Sequence, residues 1–502
     1  MEVGAMKQSQ RIVKNAVVGV IAGVVGGLVY LATTIAIARN PHVTVAEFGK
    51  YQWVLAFAMI AQLVADSGLP RMMIREIAKD PSCVGKITGA AAGLIWFISL
   101  LVCLIVGVIA FFLPFGTDMK IAIILMSFAT LATFHGAGYS AVLRAFEDNE
   151  LNYLGFILKQ VLLLVFILIM LYLRTGLIGF VIAHLTSNIL IWNFYHIVVS
   201  KFYTKVKLQI DLPLWKELFV TAIPMGGGVM LRQLALHIDI FVLGLMTNMK
   251  TVGLFGGPYR LSWSLRTLPQ TLSLPLYPLY SRTAHFSPQR FGEVYRQSLK
   301  FFTLISVPFA AFFMAWSKPL LTLALGTRFL EALPAMRLLG LGLIPFFVSC
   351  LFQYLFAALD AQKGFFVWTL VGSVVRVVLL VTLIPMYHPP YVAPAIAFLV
   401  AEVLTVALWI IQLHKLGYPA HIVQLLWRPM AAGVAMGLIL LSCLNSPVLW
   451  QLGGALLSII VYGLLLWVLR TFSSAEIHQA REGIAFVSPF VASWTKKLRG
   501  DS

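Results

Sequence analysis

Acidic residues are scarce in this chain: 19 Asp and Glu stand against 37 Lys and Arg in 502 residues, and charged residues of both signs make up only 11%. A soluble domain carries about a quarter charged residues. The scarcity, with 60% hydrophobic residues and a mean hydropathy of +0.90, therefore excludes a soluble globular protein. Cysteine is nearly absent as well. Cys103, Cys350 and Cys443 fall inside apolar stretches and Cys83 in a loop, which excludes a disulfide framework. There is no G-x-x-x-x-G-K-[ST] phosphate loop, no H-E-x-x-H zinc motif and no polar segment long enough to fold as a nucleotide-binding domain. No cofactor, metal or ATP hydrolysis is expected, and the chain does not read as an enzyme. Short strands of alternating polarity are lacking too, which disfavours a β-barrel.

What fills the sequence is apolar runs of about 20 residues, each long enough to cross a bilayer as a helix. They lie at 16–38, 48–69, 87–113, 121–143, 154–173 and 176–200, then at 218–246, 252–280, 301–325, 333–359, 365–386 and 391–413, with a closing pair at 429–444 and 448–469. The expected fold is all-α, a polytopic membrane protein with 14 spans. Lys7, Arg11 and Lys14 before the first run imitate a signal peptide, and Ala36-Ile37-Ala38 a cleavage site. The run exceeds the usual 7 to 15 residues or so, so an uncleaved anchor is expected, whether translation starts at Met1 or Met6. Basic residues set the orientation. Arg71, Arg75, Lys79 and Lys86, then Lys201, Lys205, Lys207 and Lys216, then Arg282, Arg290, Arg296 and Lys300, all fall on the side of both termini, and few fall opposite. Both termini are expected to be cytoplasmic, and the +18 formal charge is a topology signal that calls for no nucleic acid.

The chain reads as a duplication. T-V-x-x-F-G occurs at Thr44–Gly49 and again at Thr251–Gly256, and Leu143, Ala145 and Asp148 are echoed by Leu355, Ala357 and Asp360. Two six-span units entering from the same side make parallel repeats. The expected domains are an N-terminal lobe at 1–205, a C-terminal lobe at 206–415, an additional helix pair at 416–470 and a cytoplasmic or interfacial tail at 471–502. Residues 69–80 read as an amphipathic elbow, with Leu69, Met72, Met73 and Ile77 on one face and Arg71, Arg75, Glu76 and Lys79 on others. Residues 475–499, with Ile477, Ile484, Trp494 and Lys496, read either as a second such segment or as a frayed tail.

Charges inside the apolar runs carry the chemistry. A central arginine costs roughly 2.5 to 3.5 kcal/mol to insert, so Arg232, Arg266 and Arg376 together cost about 8 to 10 kcal/mol, the scale of a whole domain's stability. Something anionic must offset that. Pro224 and Gly226-Gly227-Gly228 precede Arg232, so a kink or unwound turn beside a cavity is expected. Helical rise puts Arg260 about 12 Å and Arg266 about 20 Å below the outer surface, near Tyr259 and Trp263. Asp239, two turns beyond Arg232, is placed to orient it or to hold a coupling cation. Arg376 and Glu402, each midway along its run, read as mutual partners or as site residues. Asp66 reads as a helix cap. His184, His237, Lys159 and Arg337 read as polar packing or as groups reaching a polar boundary. Deep cations outnumber deep carboxylates, and the planar guanidinium fork matches phosphate oxygens.

Ile37-Ala38-Arg39, Phe48-Gly49-x-Tyr51, Asp66-Ser67-Gly68-Leu69, Ile74-Arg75-Glu76-Ile77-Ala78 and the later Gly-x-Arg-Phe at 326–329 together resemble the bacterial polysaccharide transporters, the Wzx-type O-antigen flippases of the multidrug/oligosaccharidyl-lipid/polysaccharide (MOP) superfamily. Lipid II flippases and multidrug and toxin extruders are their relatives. The resemblance covers nearly the whole chain. It implies two lobes in the bacterial inner membrane around a basic central cavity that opens alternately to each side. The implied cargo is an undecaprenyl-diphosphate-linked oligosaccharide, with membrane lipids, a polysaccharide polymerase and other assembly proteins as partners. On that reading Arg232, Arg266, Arg260 and Arg376 hold the diphosphate, and Tyr259, Trp263 and Gln233 accommodate sugars. Asp239 and Glu402 are the candidates for ion coupling. The first and third spans hold no deep charge, unlike lipid II flippases. The alternatives are a drug or cation extruder of the same fold and a polysaccharide polymerase or ligase.

Overall fold

The computed structural model describes residues 2–66, 68–444 and 446–472. Among them are 17 α-helices and no strand. They are α1 Glu2–Arg39, α2 Val45–Asp66, α3 Leu69–Lys79, α4 Val84–Phe112, α5 Thr117–Ala145, α6 Asn149–Tyr172 and α7 Gly176–Phe202. A second series follows with α8 Leu212–Met246, α9 Met249–Ser273, α10 Tyr277–Phe286, α11 Pro288–Ala315, α12 Ser317–Ala324, α13 Leu333–Ala358, α14 Gln362–Met386 and α15 Ala393–Lys415; α16 Ile422–Ser442 and α17 Val448–Val468 close the chain. Eleven helices among the described residues are long and apolar enough to cross a membrane. Three further helices of 22 to 35 residues, α2, α8 and α9, carry much of the polar and charged inventory where the two halves meet.

Helix packing shows the repeat directly. In the first half α4 packs on α5, α5 on α7, α6 on α7, α2 on α5 and α1 on α6. In the second, α11 packs on α13, α13 on α15, α14 on α15, α9 on α13 and α8 on α14. The halves join through α1 on α9, its counterpart α2 on α8, and α2 crossing α9. A Cβ built on Gly49 would overlap the Met249 carbonyl, and one built on Gly253 would overlap the Val45 carbonyl. This reciprocal contact needs a residue without a side chain on both helices. It pairs Gly49 with Gly253, three residues away from the register of the T-V-x-x-F-G echo. The cause lies in the caps. Thr44 opens α2 through a capping box with Glu47, the Thr44 amide reaching Glu47 Oε2 at 2.8 Å and the Glu47 amide reaching Thr44 Oγ1 at 3.1 Å. The cap of α9 is instead Asn248, whose Oδ1 accepts from the Thr251 amide at 3.0 Å, so Thr251 is not the counterpart of Thr44.

The second echo is displaced by one residue for a similar reason. Helices α5 and α13 end in the same left-handed cap, with Glu147 at φ 61° and Asp360 at φ 52°. The Asp148 amide donates to Leu143 O at 2.8 Å and the Ala361 amide to Phe356 O at 2.9 Å. Glu147 and Asp360 are therefore equivalent, rather than Asp148 and Asp360.

The elbow α3 buries Leu69, Met72, Met73 and Ile77 against α5 and α8. Its second-half counterpart α10 was absorbed into the span read at 252–280, which in fact breaks at Ser273. The unwound turn expected after Pro224 does not form, because α8 is helical throughout; a membrane helix tolerates the single donor that proline removes. The Asp66 side chain and the segment 475–499 lie outside what the structure describes, and all four cysteines are free.

On the side where α2 and α9 begin, side chains bind the halves together. Arg328 donates to the carbonyls of Ala38, Asn40 and Val43, each at 2.6 Å, covering the end of α1 where carbonyls lack helical partners. Arg39 returns the contact by donating to Leu323 O at 2.7 Å. Phe48 meets Phe329 edge to face at 5.5 Å.

Candidate functional site

The buried charges converge where α8, α9, α13, α14 and α15 meet. Arg232 on α8 donates to Glu402 Oε1 on α15 at 2.9 Å and to Ser349 Oγ on α13. Ser349 itself donates to Phe346 O at 2.6 Å. Arg376 on α14 makes a two-pronged pair with Asp239 on α8, through Nε to Oδ1 at 2.7 Å and Nη2 to Oδ2. The sequence suggested Asp239 as the partner of Arg232, and Glu402 as the partner of Arg376. The structure exchanges these partners. Arg232 and Asp239 lie about 10 Å apart along α8 by helical rise, so each takes the neighbouring helix's charge at its own depth.

Arg266 on α9 is different. It is 2% exposed, yet forms no ion pair among the described residues. Nη1 donates to Tyr259 Oη at 3.3 Å, while Nε and Nη2 have no hydrogen-bond partner among the described residues. Four rings surround the guanidinium, with centroids at 4.6 Å for Phe398, 4.8 Å for Phe346, 4.9 Å for Tyr259 and 5.2 Å for Trp263. Phe346 also faces Arg232 at 5.5 Å, and Phe398 also faces Arg376 at 4.9 Å. Three guanidinium groups thus alternate with two phenylalanine rings in the order Arg232, Phe346, Arg266, Phe398, Arg376. Ring faces stabilise a desolvated cation by roughly 2 kcal/mol or more without neutralising it. With two carboxylates against three guanidiniums, one positive charge remains uncompensated, centred on Arg266.

Tyr259 donates to Leu236 O, which fixes its ring against Arg266. Trp263 stands 5.3 Å from the His237 ring. Gln233 is half-buried beside Arg232. Arg260 lies apart from the alternating series: its Nε donates to Gln52 Oε1 at 2.6 Å and its Nη1 to Tyr30 Oη, so it bridges to α1 and α2 across the junction of the two halves. Asp239 and Glu402 each hold a guanidinium, and no group of three or more metal-ligating side chains occurs among the described residues. The space bounded by Arg232, Arg376, Glu402 and Thr405 is about 20 Å³, room for little more than one water.

Sequence reasoning missed Phe346, Phe398 and Ser349. Apolar rings at helical spacing look the same whether they fill a core or face a cation. It also set aside Lys159, which lines a cavity inside the first half.

The polysaccharide biosynthesis protein family model matches residues 42–334, more than half of the chain. Among solved structures, "Lipid II flippase MurJ, inward closed conformation" superposes with a TM-score of 0.73 at 14% identity, covering 91% of this chain and 98% of that one. An inward-facing multidrug resistance MATE family transporter of the MOP superfamily gives 0.63 at 16% identity, covering 78% and 95%, and an outward-facing one gives 0.55 at 17% identity, covering 80% and 96%. A comparison with curated proteins finds no match. The chain belongs to the polysaccharide biosynthesis protein family and has the fold of the MOP-superfamily transporters.

Proposed function

We propose that this protein is a flippase that carries an undecaprenyl-diphosphate-linked oligosaccharide across the bacterial inner membrane by alternating access. The observation that carries the reading is Arg266, a guanidinium at membrane depth held by four rings and paired with no carboxylate among the described residues. Such an arrangement keeps a positive charge available to an incoming anion, whereas Arg232 and Arg376 are each held by a carboxylate and Arg260 is engaged by Gln52 and Tyr30. In this reading all 14 long helices cross the membrane, with lobes at 1–205 and 206–415, an added pair at 416–470 and both termini cytoplasmic. When the lobes part, the diphosphate binds Arg266 and draws Arg232 and Arg376 away from Glu402 and Asp239, which act as resident counter-ions. Tyr259, Trp263 and Gln233 contact the sugars. An apolar cleft of about 480 Å³ between α11, α13 and α16, lined by Met314, Ile344, Met430 and Leu438, gives the polyprenyl tail a path beside the closing helices.

The likeness to MATE structures favours a second reading, a drug or cation extruder of the same fold. Its chemistry needs carboxylates open to a cation, and both deep carboxylates here already hold arginines. The family match and the transporter fold support transport over a polymerase or ligase reaction. The test is a chromosomal replacement of Arg266 or Arg232 by alanine. Loss of surface polysaccharide with normal protein abundance supports the proposal. Normal polysaccharide in both variants, or drug sensitivity as the sole phenotype, contradicts it.

A further inference from the structure

A second cavity, of about 360 Å³, lies inside the first half between α1, α5, α6 and α7, apart from the arginine series. Each helix contributes one face at helical spacing: Thr133, Ser140 and Arg144 from α5, Asn152 and Lys159 from α6, Asn188 and Trp192 from α7. Gly19 and Gly23 of α1 line the fourth wall. The volume is that of a small-molecule site.

The polar groups are not all satisfied. Lys159 Nζ reaches only Thr133 Oγ1, at 3.5 Å, and no ion pair holds it among the described residues. Asn188, 6% exposed, donates to Ala129 O at 2.9 Å, but among the described residues its Oδ1 has no partner, and neither does Trp192 Nε1. Buried polar atoms are rarely left so without a ligand or water to meet them. Asn152 is already engaged, its Oδ1 accepting from Ser140 at 2.7 Å and its carbonyl from Tyr195 Oη at 2.9 Å, which fixes that wall. Among the described residues no carboxylate lines the cavity. It therefore offers a cation for an anion, an acceptor for a hydroxyl, and a tryptophan ring with a donor, the set that recognises a polyol next to a phosphate.

We propose that this cavity binds a hydroxylated phosphate ester, with the phosphate on Lys159 and the adjoining polyol against Asn188 and Trp192. It lies toward the ends of α5 and α7 and the start of α6. Two sources share that chemistry: the phosphate-linked sugar of a glycolipid and the glycerol phosphate head of a phospholipid. The site lies apart from Arg266, so its test stands independently of the proposed transport function.

Purified full-length protein in neutral detergent is titrated with inorganic phosphate, glucose, glucose 1-phosphate and short-chain phosphatidylglycerol, and binding is read from the thermal unfolding midpoint and by native mass spectrometry. Glucose 1-phosphate or phosphatidylglycerol is expected to bind more tightly than inorganic phosphate, and glucose not at all. Lys159→Gln weakens binding by about tenfold, the loss of one charge-assisted contact, and does so equally in an Arg266→Ala background. Trp192→Phe weakens the two esters but not inorganic phosphate. Gly23→Leu, which adds bulk at the cavity wall, serves as the second variant if Lys159→Gln does not fold, and is expected to weaken binding. Preference between glucose 1-phosphate and phosphatidylglycerol tells a glycan from a lipid source. The proposal is overturned if no phosphate-bearing probe binds, if Lys159→Gln or Gly23→Leu binds as the parent does, or if Arg266→Ala removes all binding.

Discussion

Replacing Arg328 with alanine removes three hydrogen bonds, each of 2.6 Å, to the carbonyls of Ala38, Asn40 and Val43, and with them a tie between the two halves. A hydrogen bond from a charged donor contributes about 1.5 to 3 kcal/mol net when buried. Arg328 is partly exposed, and discounting for solvent screening leaves about 3 kcal/mol for the three together. At 1.4 kcal/mol per tenfold, that is roughly a hundredfold in the ratio of closed to open lobes on this side. A closed population near 99% would fall to about half. Spin labels at Thr117→Cys and Lys318→Cys, on opposite halves of this face and in a background lacking Cys83, Cys103, Cys350 and Cys443, read the separation by double electron–electron resonance. The parent is expected to show one distance, and Arg328→Ala a second, longer population of comparable weight. An unchanged single distribution in a variant of unchanged melting temperature would refute the reasoning, because the Arg328 contacts would then not set the equilibrium.

Three other outcomes follow from the geometry. Gly49→Ala or Gly253→Ala places a Cβ on the opposing helix's backbone carbonyl, and either is expected to cost about 1 to 3 kcal/mol, seen as a lower melting temperature in detergent; an unchanged value would mean that α2 and α9 are not tightly crossed. Asp239→Leu leaves Arg376 buried without its partner and is expected to cost about 3 to 5 kcal/mol, whereas Asp239→Leu with Arg376→Leu recovers most of that. Additive losses in this double-mutant cycle would contradict the pairing. Glu402→Gln removes the counter-charge of Arg232 and is expected to tighten binding of inorganic diphosphate, read by calorimetry; weaker binding would remove Glu402 as a competing anion.

Much of this fold was legible in the residues, because helical membrane segments are dictated by the length of apolar runs and by the polar loops between them. The elbow α3 was readable since its four buried residues share one helical face. Its counterpart α10 was not, for Pro275 and Pro278 sit in a continuous apolar stretch and give no gap in hydropathy. The duplication was visible in small echoes, but their register was wrong by one and three residues, because sequence likeness followed Thr251 whereas the geometry follows the cap at Asn248. At the site, the arginines announced themselves by the cost of their burial. Their partners did not: whether Asp239 meets Arg232 or Arg376 depends on which helices lie side by side, and spacing along α8 carries no such information. The ring cage of Arg266 was half legible, since Tyr259 and Trp263 stand near it in sequence whereas Phe346 and Phe398 come from α13 and α15.

The central claim is that Arg266 keeps its charge for a diphosphate, and direct binding tests it most simply. Undecaprenyl diphosphate, undecaprenyl phosphate and undecaprenol are offered in turn to the purified protein and to Arg266→Gln, and the complexes are counted by native mass spectrometry. The diphosphate is expected to bind the parent best, and Arg266→Gln to weaken it by about tenfold or more while leaving undecaprenol unaffected. Equal binding of all three lipids, or equal binding of the diphosphate by parent and variant, would contradict the claim.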